Sequence, residues 1–308
     1  MIKLILTGLI LVFITVEITL RLIWGFGNPL IYIRDKEIGY LLAPNQTVKR
    51  NGNLIKINSF SMRSNELKDK NEDNLRILLL GDSIVNGGWW TDQNQTISSL
   101  LQTLFIAQKT FFNTVEVLNV SANSWGARNE LAYLHKYGIF NSNILVLVLN
   151  TDDLFAFKPS SEKVGKTANY FEYKPLLALQ ELYQKIYEKF FPPHYNFIEK
   201  GDIVQFNLDA VKSIQDFTIK NNCKFFLVLT PLKRETVFPY SKEYELKARA
   251  RLEDLVMTEN IKYLDFLPVL KDNKNLDKLY HDHIHFNTEG NQFIAEKILA
   301  MLNENNII

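Results

Sequence analysis

The sequence predicts an α/β protein built on a parallel β-sheet that is covered by helices on both faces. Short, continuous apolar runs recur along the chain, and amphipathic stretches of helical length separate them. Parallel strands need long crossover connections, which are usually helices, so this alternation favours a parallel sheet over an antiparallel one. Five such strands indicate a flavodoxin-like, doubly wound sheet in a three-layer α/β/α arrangement.

The elements follow one another regularly from residue 75 onward. The apolar runs that predict strands are residues 76–80, 115–120, 144–150, 224–230 and 261–266. The amphipathic stretches that predict helices are residues 95–108, 127–137, 176–190, 204–221, 242–258 and 289–302.

The remaining segments define the predicted domain organisation. Residues 1–24 form an N-terminal membrane anchor or signal segment, 25–74 a loop-dominated lead-in with a few short strands, and 75–308 the main domain. That domain carries an insertion at about 154–203, which is rich in aromatic residues ("FFPPHYNF"). A long excursion between core strands favours a lid or a substrate-facing segment; the alternative is a packing flap with no ligand role.

The N-terminal segment has the length of a membrane span. Residues 4–16 carry no charge, and the apolar character continues to residue 24, about 20 residues in all, which suffices to cross a bilayer core of ~30 Å. No small-x-small cleavage site follows. We expect a single-pass anchor through residues 4–24, with the main domain periplasmic or extracytoplasmic. A cleaved signal peptide and a buried core helix are the alternatives.

Composition excludes some classes of partner. The 35 basic and 34 acidic side chains leave a net charge of +1, and no dense basic patch with interleaved aromatics is present. A nucleic-acid partner is therefore not expected, and nothing in the sequence indicates a protein partner. Cys223 is the only cysteine, which excludes a disulfide within the chain.

Two motifs carry the chemistry. In "RILLLGDSIVNGGWW", Ser83 follows the first sheet strand, either as part of a helix cap or as a nucleophile at the carboxyl edge of the sheet. In "LYHDHIHFNTEGNQFIAEKI", Asp282 and His285 are three residues apart, so one turn can present both side chains on the same side. A serine needs a base to take its proton, and a base works best when a third group fixes its tautomer.

With these motifs the chain resembles the SGNH/GDSL hydrolase superfamily, in its membrane-anchored bacterial type. "GDS" resembles the nucleophile block, "VLNVSANSWGARNELAYL" the second block, "ILVLVLNTDD" falls at the third, and "DHIHFNTEGNQFIA" resembles the last. The resemblance covers residues 75–302 and extends loosely to "GYLLAPNQ" and "INSFSMRSNE". It implies a catalytic triad in which Ser83 attacks an acyl carbonyl, His285 acts as base and then acid, and Asp282 orients the imidazole.

The resemblance also implies an oxyanion hole, and here the sequence departs from the family. Its donors would be the backbone N–H of Ser83, a second-block position that falls on Asn123 or Ser124, and the third-block asparagine. Asp152 stands at that last position, and an ionised carboxylate donates no hydrogen bond. Three interpretations stay open: Asp152 is protonated, Asn150 or another group supplies the donor, or the third donor is absent.

Three further residues are candidate substrate contacts. Trp89 and Trp90 form either a sugar-stacking platform or core anchors, and Arg128 either contacts an anionic substrate or lies on a solvated helix face. His281, His283 and His285 alternate, which is compatible with a metal site, but no other His or Cys cluster supports one. No metal or cofactor is expected.

The predicted enzyme is a membrane-anchored, GDSL-type serine esterase that removes acyl groups such as O-acetyl from an envelope or exported carbohydrate. The first alternative is an O-acyltransferase that uses the same triad on an exopolysaccharide. The second is a non-catalytic module for polysaccharide assembly or binding, in which the altered third block reflects lost activity.

Overall fold

A computed structural model describes residues 1–71, 73–108, 112–195, 198–273 and 275–305. It begins with α1 (Ile2–Thr19), which a π-helical turn (Leu20–Trp24) continues. Two antiparallel hairpins follow, and their strands are β1 (Tyr32–Asp35), β2 (Gly39–Leu42), β3 (Gln46–Arg50) and β4 (Asn53–Ile57).

The rest of the chain alternates strands and helices. In chain order these are β5 (Asn74–Gly81), α2 (Ser83–Asn86), α3 (Ile97–Ala107), β6 (Thr114–Ser121), α4 (Ala127–Tyr137), β7 (Ile144–Asn150), α5 (Ala178–Phe190), α6 (Ile203–Lys220), β8 (Lys224–Thr230), α7 (Glu243–Thr258), β9 (Lys262–Asp265), α8 (Phe266–Lys271) and α9 (Thr288–Glu304). Every predicted strand and helix is present with bounds that agree to within two residues. The sequence reasoning considered α2 only as a helix capped near Ser83, without bounds, and it missed α8; these helices have four and six residues.

The five core strands form a parallel sheet in the order β6-β5-β7-β8-β9. Counted along the chain within this sheet, the order is 2-1-3-4-5, which is that of a flavodoxin-like fold. The predicted doubly wound α/β fold is therefore confirmed. The order reverses at β5, and the loops after β5, β6 and β7 border the crevice that such a reversal leaves at the carboxyl edge.

Both faces of the sheet are buried, which explains why the strands are apolar throughout. Leu78 and Leu80 join a cluster with α4, α6, α7 and the two hairpins. Ile77 and Leu79 point to the other face, where α3, α8 and α9 pack. Full burial of each such side chain contributes about 1.5–3 kcal/mol, so the alternating residues of one strand hold both helical layers.

Among the described residues, four ion pairs join the segment predicted as an insertion to the rest of the protein, and the two with the least exposed side chains involve Glu181 and Glu199. Glu181 of α5 is fully buried and pairs with Arg50 of β3. Glu199 pairs with Arg128 of α4, with the shortest N–O distance at 2.6 Å. Residues 196 and 197 of the predicted insertion lie outside the described residues. The division into lead-in, main domain and insertion stays a prediction.

The N-terminal helix projects from the fold. Ile2–Trp24 is, among the described residues, the one helix that is long and apolar enough to cross a membrane, and its most apolar stretch is fully exposed. Its last turns contact the domain. Glu17 accepts hydrogen bonds from the backbone N–H groups of Ala178 and Leu179, at 2.8 and 3.1 Å, and Arg21 donates to the carbonyl of Leu176 at 2.7 Å.

Candidate active site

The sharp turn after β5 places Ser83 at the carboxyl edge of the sheet. A Cβ on Gly81 would lie 2.6 Å from the carbonyl oxygen of Val148, so only glycine lets the two strands approach here. Asp82 caps α2, because its carboxylate accepts the N–H of Ile84 at 2.8 Å. The capping role therefore belongs to Asp82, and the hydroxyl of Ser83 lies 3.1 Å from the other oxygen of the same carboxylate.

Asp282, His285 and Ser83 form a continuous chain of hydrogen bonds. Nδ1 of His285 lies 2.7 Å from Oδ2 of Asp282, and Nε2 lies 2.8 Å from Oγ of Ser83. Burial opposes ionisation of Asp282, but hydrogen bonds from the backbone N–H and ring of His285 outweigh it and hold the pKa of Asp282 below its usual range. An ionised Asp282 accepts a hydrogen bond from the N–H at Nδ1. The other ring nitrogen, Nε2, is then unprotonated and can accept a hydrogen bond from Ser83.

The loop that carries this pair is fixed by local contacts. Oδ1 of Asp282 accepts the backbone N–H groups of Ile284 and His285, at 2.9 and 2.8 Å, which closes the turn. Gly290 lies in the first turn of α9, next to this loop, and a Cβ on it would lie 2.1 Å from the carbonyl oxygen of Leu279. The glycine that follows the Asp–His motif therefore lets the loop pack against the helix.

The second-block segment carries a backbone strain at the site. Ser124 has φ of +57°, in the left-handed region, where a residue with a Cβ costs roughly 1–2 kcal/mol. The hydroxyl of Tyr170 donates to Oγ of Ser124 at 2.8 Å, and that of Tyr40 donates to the carbonyl of Asn123 at 2.6 Å. The resemblance implies a glycine at the second-block position, and glycine is the residue that a positive φ favours. Because Ser124 has a positive φ and Asn123 does not, Ser124 fits that position better.

Both third-block candidates, Asn150 and Asp152, line the cavity that contains Ser83, but the side chain of Asn150 is engaged within the fold. The amide nitrogen of Asn150 donates to carboxylate oxygens of Asp82 and Asp153, each at 2.9 Å. Both of its amide hydrogens thus have acceptors, which disfavours Asn150 as an oxyanion donor. Asp152 lines a cavity with Ser83. Burial raises the pKa of Asp152, although the charge of Arg234 opposes the shift.

Behind Ser83, three carboxyl groups are buried close to one another. Desolvation raises the pKa values of Asp82, Glu130 and Asp153, and the charge of Asp82 adds to the shift of the other two. Within the described part of the chain neither carboxyl oxygen of Glu130 has a hydrogen-bond partner. Groups with raised folded-state pKa values stabilise the fold at low pH, and that stability is lost as pH rises from the unfolded value of about 4 through the folded one.

Replacing Glu130 with glutamine is therefore expected to flatten the decline of Tm between about pH 5 and 8, because one of the groups that must ionise against burial is removed. The measurement is thermal unfolding of the full-length protein in detergent across that range. Glu289→Gln, at an exposed position on α9, is the matched control and should keep the wild-type slope. An unchanged slope in Glu130→Gln would contradict the assignment of a raised pKa to Glu130.

Two clefts meet at Ser83, Ser124 and His285. The first, called here the Asp152 cleft, has a volume of about 350 Å³, and its wall includes Tyr40, Asp152, Phe157, Lys158, Lys163 and His283. The second, called the Trp90 cleft, has a volume of about 310 Å³, and its wall includes Tyr32, Arg50, Trp89, Trp90, Tyr170 and Lys185. A small molecule can therefore approach Ser83 from either cleft.

Trp89 and Trp90, the candidate substrate contacts of the sequence analysis, border the site. The ring of Trp90 stacks on His281 with centroids 4.8 Å apart and an interplanar angle of 5°, and its centroid lies 4.7 Å from that of His285. Trp89 meets Trp90 edge to face at 5.7 Å and is 39% exposed. Trp90 therefore packs beside the imidazole that faces Ser83, and Trp89 extends the same wall outward.

The other candidate contacts lie apart from the clefts or lack the partners for a metal. Arg128 donates to Glu199 and to the carbonyl of Ala156, and it is absent from the lining of both clefts, which disfavours a substrate contact. His281 lies under Trp90, and His283 borders the Asp152 cleft. Throughout the described ranges, no group of three His, Cys, Asp or Glu side chains is arranged to hold a metal ion.

The sequence reasoning missed most of the cleft walls. Examples are Tyr40 in the lead-in and three residues of the predicted insertion, Lys163, Tyr170 and Lys185. A signal for Tyr40 was present, since it lies in "GYLLAPNQ", one of the two lead-in stretches with a family resemblance. Nothing in the sequence marked the insertion residues individually.

A doubly wound sheet with a serine, a histidine and a carboxylate joined by hydrogen bonds at its carboxyl edge is an arrangement suited to a serine hydrolase. The family model described as GDSL-like Lipase/Acylhydrolase matches residues 79–293, more than two thirds of the chain. The chain belongs to this family, and it is a serine hydrolase that acts on ester bonds. No curated protein matches the sequence.

Solved structures resemble the chain at low identity. The acetyl xylan esterase AlAXEase is 15% identical, with a TM-score of 0.48 over 73% of this chain and 98% of that one. A catalytic mutant of an acetylxylan esterase from Geobacillus stearothermophilus is 12% identical, with a TM-score of 0.49 over 77% and 96%. The lipase/acylhydrolase from Enterococcus faecalis is 13% identical, with a TM-score of 0.45 over 75% and 96%. Resemblances this distant carry no argument about the substrate.

Proposed function

We propose that the protein is a membrane-anchored serine esterase that removes acyl groups, such as O-acetyl, from an envelope or exported carbohydrate. The observation that carries this proposal is the hydrogen-bonded chain from Asp282 through His285 to Ser83, with its two bonds at 2.7 and 2.8 Å. Both distances are within the range that a nucleophile and its base require.

The proposed reaction follows from this geometry. Oγ of Ser83 attacks the acyl carbonyl while Nε2 of His285 takes its proton, and Asp282 stabilises the imidazolium that forms. His285 then gives the proton to the departing sugar oxygen, which leaves an acyl group on Ser83. Water attacks this acyl-enzyme with His285 as base, and the carboxylic acid is released. The backbone N–H groups of Ser83 and Ser124 are the proposed oxyanion donors.

A carbohydrate substrate is supported by the aromatic wall of the Trp90 cleft. Trp89 and Trp90 both line this cleft beside Ser83, and Trp89 is partly exposed. The faces of aromatic rings are suited to contact the apolar C–H faces of sugar rings, while cleft polar groups bind the hydroxyls. Acetate release from acetylated xylan oligosaccharides, compared with a simple aryl acetate, tests this part of the proposal. A Trp89→Ala variant should raise KM for the oligosaccharide and leave the aryl acetate nearly unaffected.

Retention of the N-terminal helix as an anchor is supported by its contacts with the domain. Leu20 is buried, and Glu17 lies at the start of α5, where its carboxylate accepts two backbone N–H groups. An anion at a helix N-terminus is stabilising because it compensates unpaired donors and the helix dipole. Cleavage after Trp24 would remove this carboxylate. A signal peptide that is destined for removal has no need of such contacts.

Asp152→Asn is expected to increase esterase activity, with a ratio to wild type that grows with pH. In the wild type the carboxyl of Asp152 donates a hydrogen bond only while protonated, so its help is lost as pH rises through its raised pKa. An asparagine amide donates at every pH, and one oxyanion donor is worth up to about 10²–10³ in kcat. The measurement is kcat for 4-nitrophenyl acetate against pH. A variant that is slower than wild type at every pH would exclude a donor role for this position.

An O-acyltransferase is the second candidate, and the two clefts favour it. Because both open on Ser83, a donor ester in one and a sugar hydroxyl in the other would both reach the acyl-serine. The test is the ratio of acyl transfer to hydrolysis with an oligosaccharide acceptor present at increasing concentration. Transfer that saturates with acceptor while hydrolysis falls supports the transferase; a rate of acid release independent of acceptor supports the esterase.

A further inference from the structure

Helix α5 exposes an apolar and largely aromatic stripe. Tyr183, Ile186, Tyr187 and Phe190 follow one another at helical spacing i, i+3, i+4 and i+7, so they lie on one face. Their exposed fractions are 67%, 50%, 49% and 70%. Single exposed apolar residues are ordinary, but a continuous row of four on one helix marks an interaction surface. We call this row the α5 stripe.

The opposite face of α5 packs against the rest of the protein. Ala178 and Glu181 are buried, and Glu181 binds Arg50 and accepts the backbone N–H of Gly27 at 2.7 Å. The ammonium group of Lys185 lies 5.6 Å from the ring centroid of Phe26 and 5.6 Å from that of Trp89. The orientation of α5 is therefore fixed by these contacts, and the α5 stripe points away from the domain.

The position of the helix indicates what covers the stripe. α5 begins beside the last turns of the N-terminal helix, where Glu17 accepts the N–H of Ala178 and Arg21 binds the carbonyl of Leu176. From Ile2 to Val16 that apolar helix is exposed. The stripe therefore starts where the proposed membrane anchor joins the domain.

We propose that the α5 stripe lies in the interfacial region of the lipid bilayer, beside the anchor. This inference rests on the anchor in the proposed function. Tyrosine and phenylalanine suit the boundary between head groups and acyl chains, where an amphipathic helix lies with its apolar face buried about 5–10 Å. Lys189, exposed on the same helix, is placed to attract anionic head groups.

The consequence is a fixed position of the active site relative to the membrane. Glu181 and Lys185, on the inner face of α5, line the Trp90 cleft. The diameter of a helix with its side chains is about 10–12 Å, so the cleft wall stands about that far from the stripe. The Trp90 cleft is thereby held close to the bilayer surface, where lipid-linked or membrane-associated acyl esters are concentrated.

The test places a fluorescent label at three positions, one at a time, in the full-length protein. Phe190→Cys reports on the α5 stripe, and Leu11→Cys reports on the anchor. Ile219→Cys is the control: this exposed apolar position ends α6, just before β8 begins, at the amino edge of the sheet and opposite the edge that carries Ser83. Each cysteine is labelled with bimane, and the wild type, whose Cys223 is buried, is the labelling blank. The proteins are reconstituted in phosphatidylethanolamine–phosphatidylglycerol vesicles, without brominated lipid or with phosphatidylcholine brominated either near the head group, for Phe190→Cys, or near the middle of the acyl chains, for Leu11→Cys; Ile219→Cys is measured with both lipids.

Bromine quenches bimane only at short range, so we expect a loss of about half the emission at Phe190→Cys and none at Ile219→Cys. The labelled Phe190→Cys protein should keep wild-type turnover of 4-nitrophenyl acetate, because Phe190 lines neither cleft. Quenching at Leu11→Cys without quenching at Phe190→Cys would overturn the inference and leave the anchor. Absence of quenching at both would overturn the inference and the anchor together. Crosslinking of Phe190→Cys to a second copy by a bis-maleimide, without quenching, would assign the stripe to a dimer and also overturn the inference.

Discussion

Ser83→Ala is expected to lower kcat for 4-nitrophenyl acetate by on the order of 10⁴-fold or more, because the variant has no hydroxyl to form the acyl-enzyme. KM should change little, since the clefts keep their shape. The measurement is steady-state turnover by the full-length protein in detergent, with circular dichroism to verify folding. Residual turnover at this level would come from the oxyanion donors and binding alone.

Ser160→Ala is the matched control for this prediction. Ser160 lines the Asp152 cleft, as Ser83 does, and its hydroxyl oxygen accepts the N–H of Glu162 at 3.2 Å, away from the His285 ring. Its replacement should leave kcat within about twofold of wild type. Retention of more than a tenth of the activity by Ser83→Ala would exclude Ser83 as the nucleophile.

Asp282→Asn should lower kcat by about 10⁴-fold, as the loss of the orienting carboxylate does in a comparable triad. Asp282 accepts three hydrogen bonds, two from backbone N–H groups and one from Nδ1 of His285. An asparagine amide satisfies only part of this set, because its NH₂ group must face either the backbone donors or the ring. If it faces the ring, it favours the tautomer with the proton on Nε2, which cannot accept the proton of Ser83.

Asp277→Asn is the control for charge in the same loop region. The side chain of Asp277 is 90% exposed and pairs with Lys233 at the surface, so its replacement should have no measurable effect on kcat. Equal, small losses in Asp277→Asn and Asp282→Asn would mean that the carboxylate of Asp282 acts only through the local charge and does not orient the imidazole.

The sheet and the Asp–His pair could be predicted because their signals are local. Strands buried on both faces are continuously apolar, so the run that contains Leu78 and Leu80 identifies β5 without any knowledge of its neighbours. Asp282 and His285 are close in sequence, and one turn brings them together. Their approach to Ser83 follows once the strand order is known, because the carboxyl ends of parallel strands share one edge.

The walls of the site could not be predicted, because they depend on contacts between distant segments. Tyr40 reaches Asn123, and Tyr170 reaches Ser124, across many intervening residues. No periodicity reports such pairs. The roles of Asn150 and Arg128 were open for the same reason: carboxylates that lie elsewhere in the chain, Asp82 and Glu199, decide what their side chains can contact.

The N-terminal region illustrates both cases. The length and composition of the apolar segment predict a membrane span, and the spacing of Glu17 and Arg21 predicts their ion pair, which the structure contains at 2.7 Å. The contacts of the same two residues with the start of α5 have no signal in the sequence. These contacts link the proposed anchor to a wall of the candidate active site.

The most direct test of the central claim is covalent capture of the nucleophile. The full-length protein is treated with a fluorophosphonate, which phosphonylates a serine that a neighbouring base activates, with release of fluoride, and the modified peptide is sequenced by mass spectrometry. The hydrogen-bonded chain from Asp282 through His285 predicts a stoichiometric adduct on Ser83, and its loss in Asp282→Asn. Folded protein that hydrolyses aryl esters but carries no adduct, or carries it on another residue, would contradict the account.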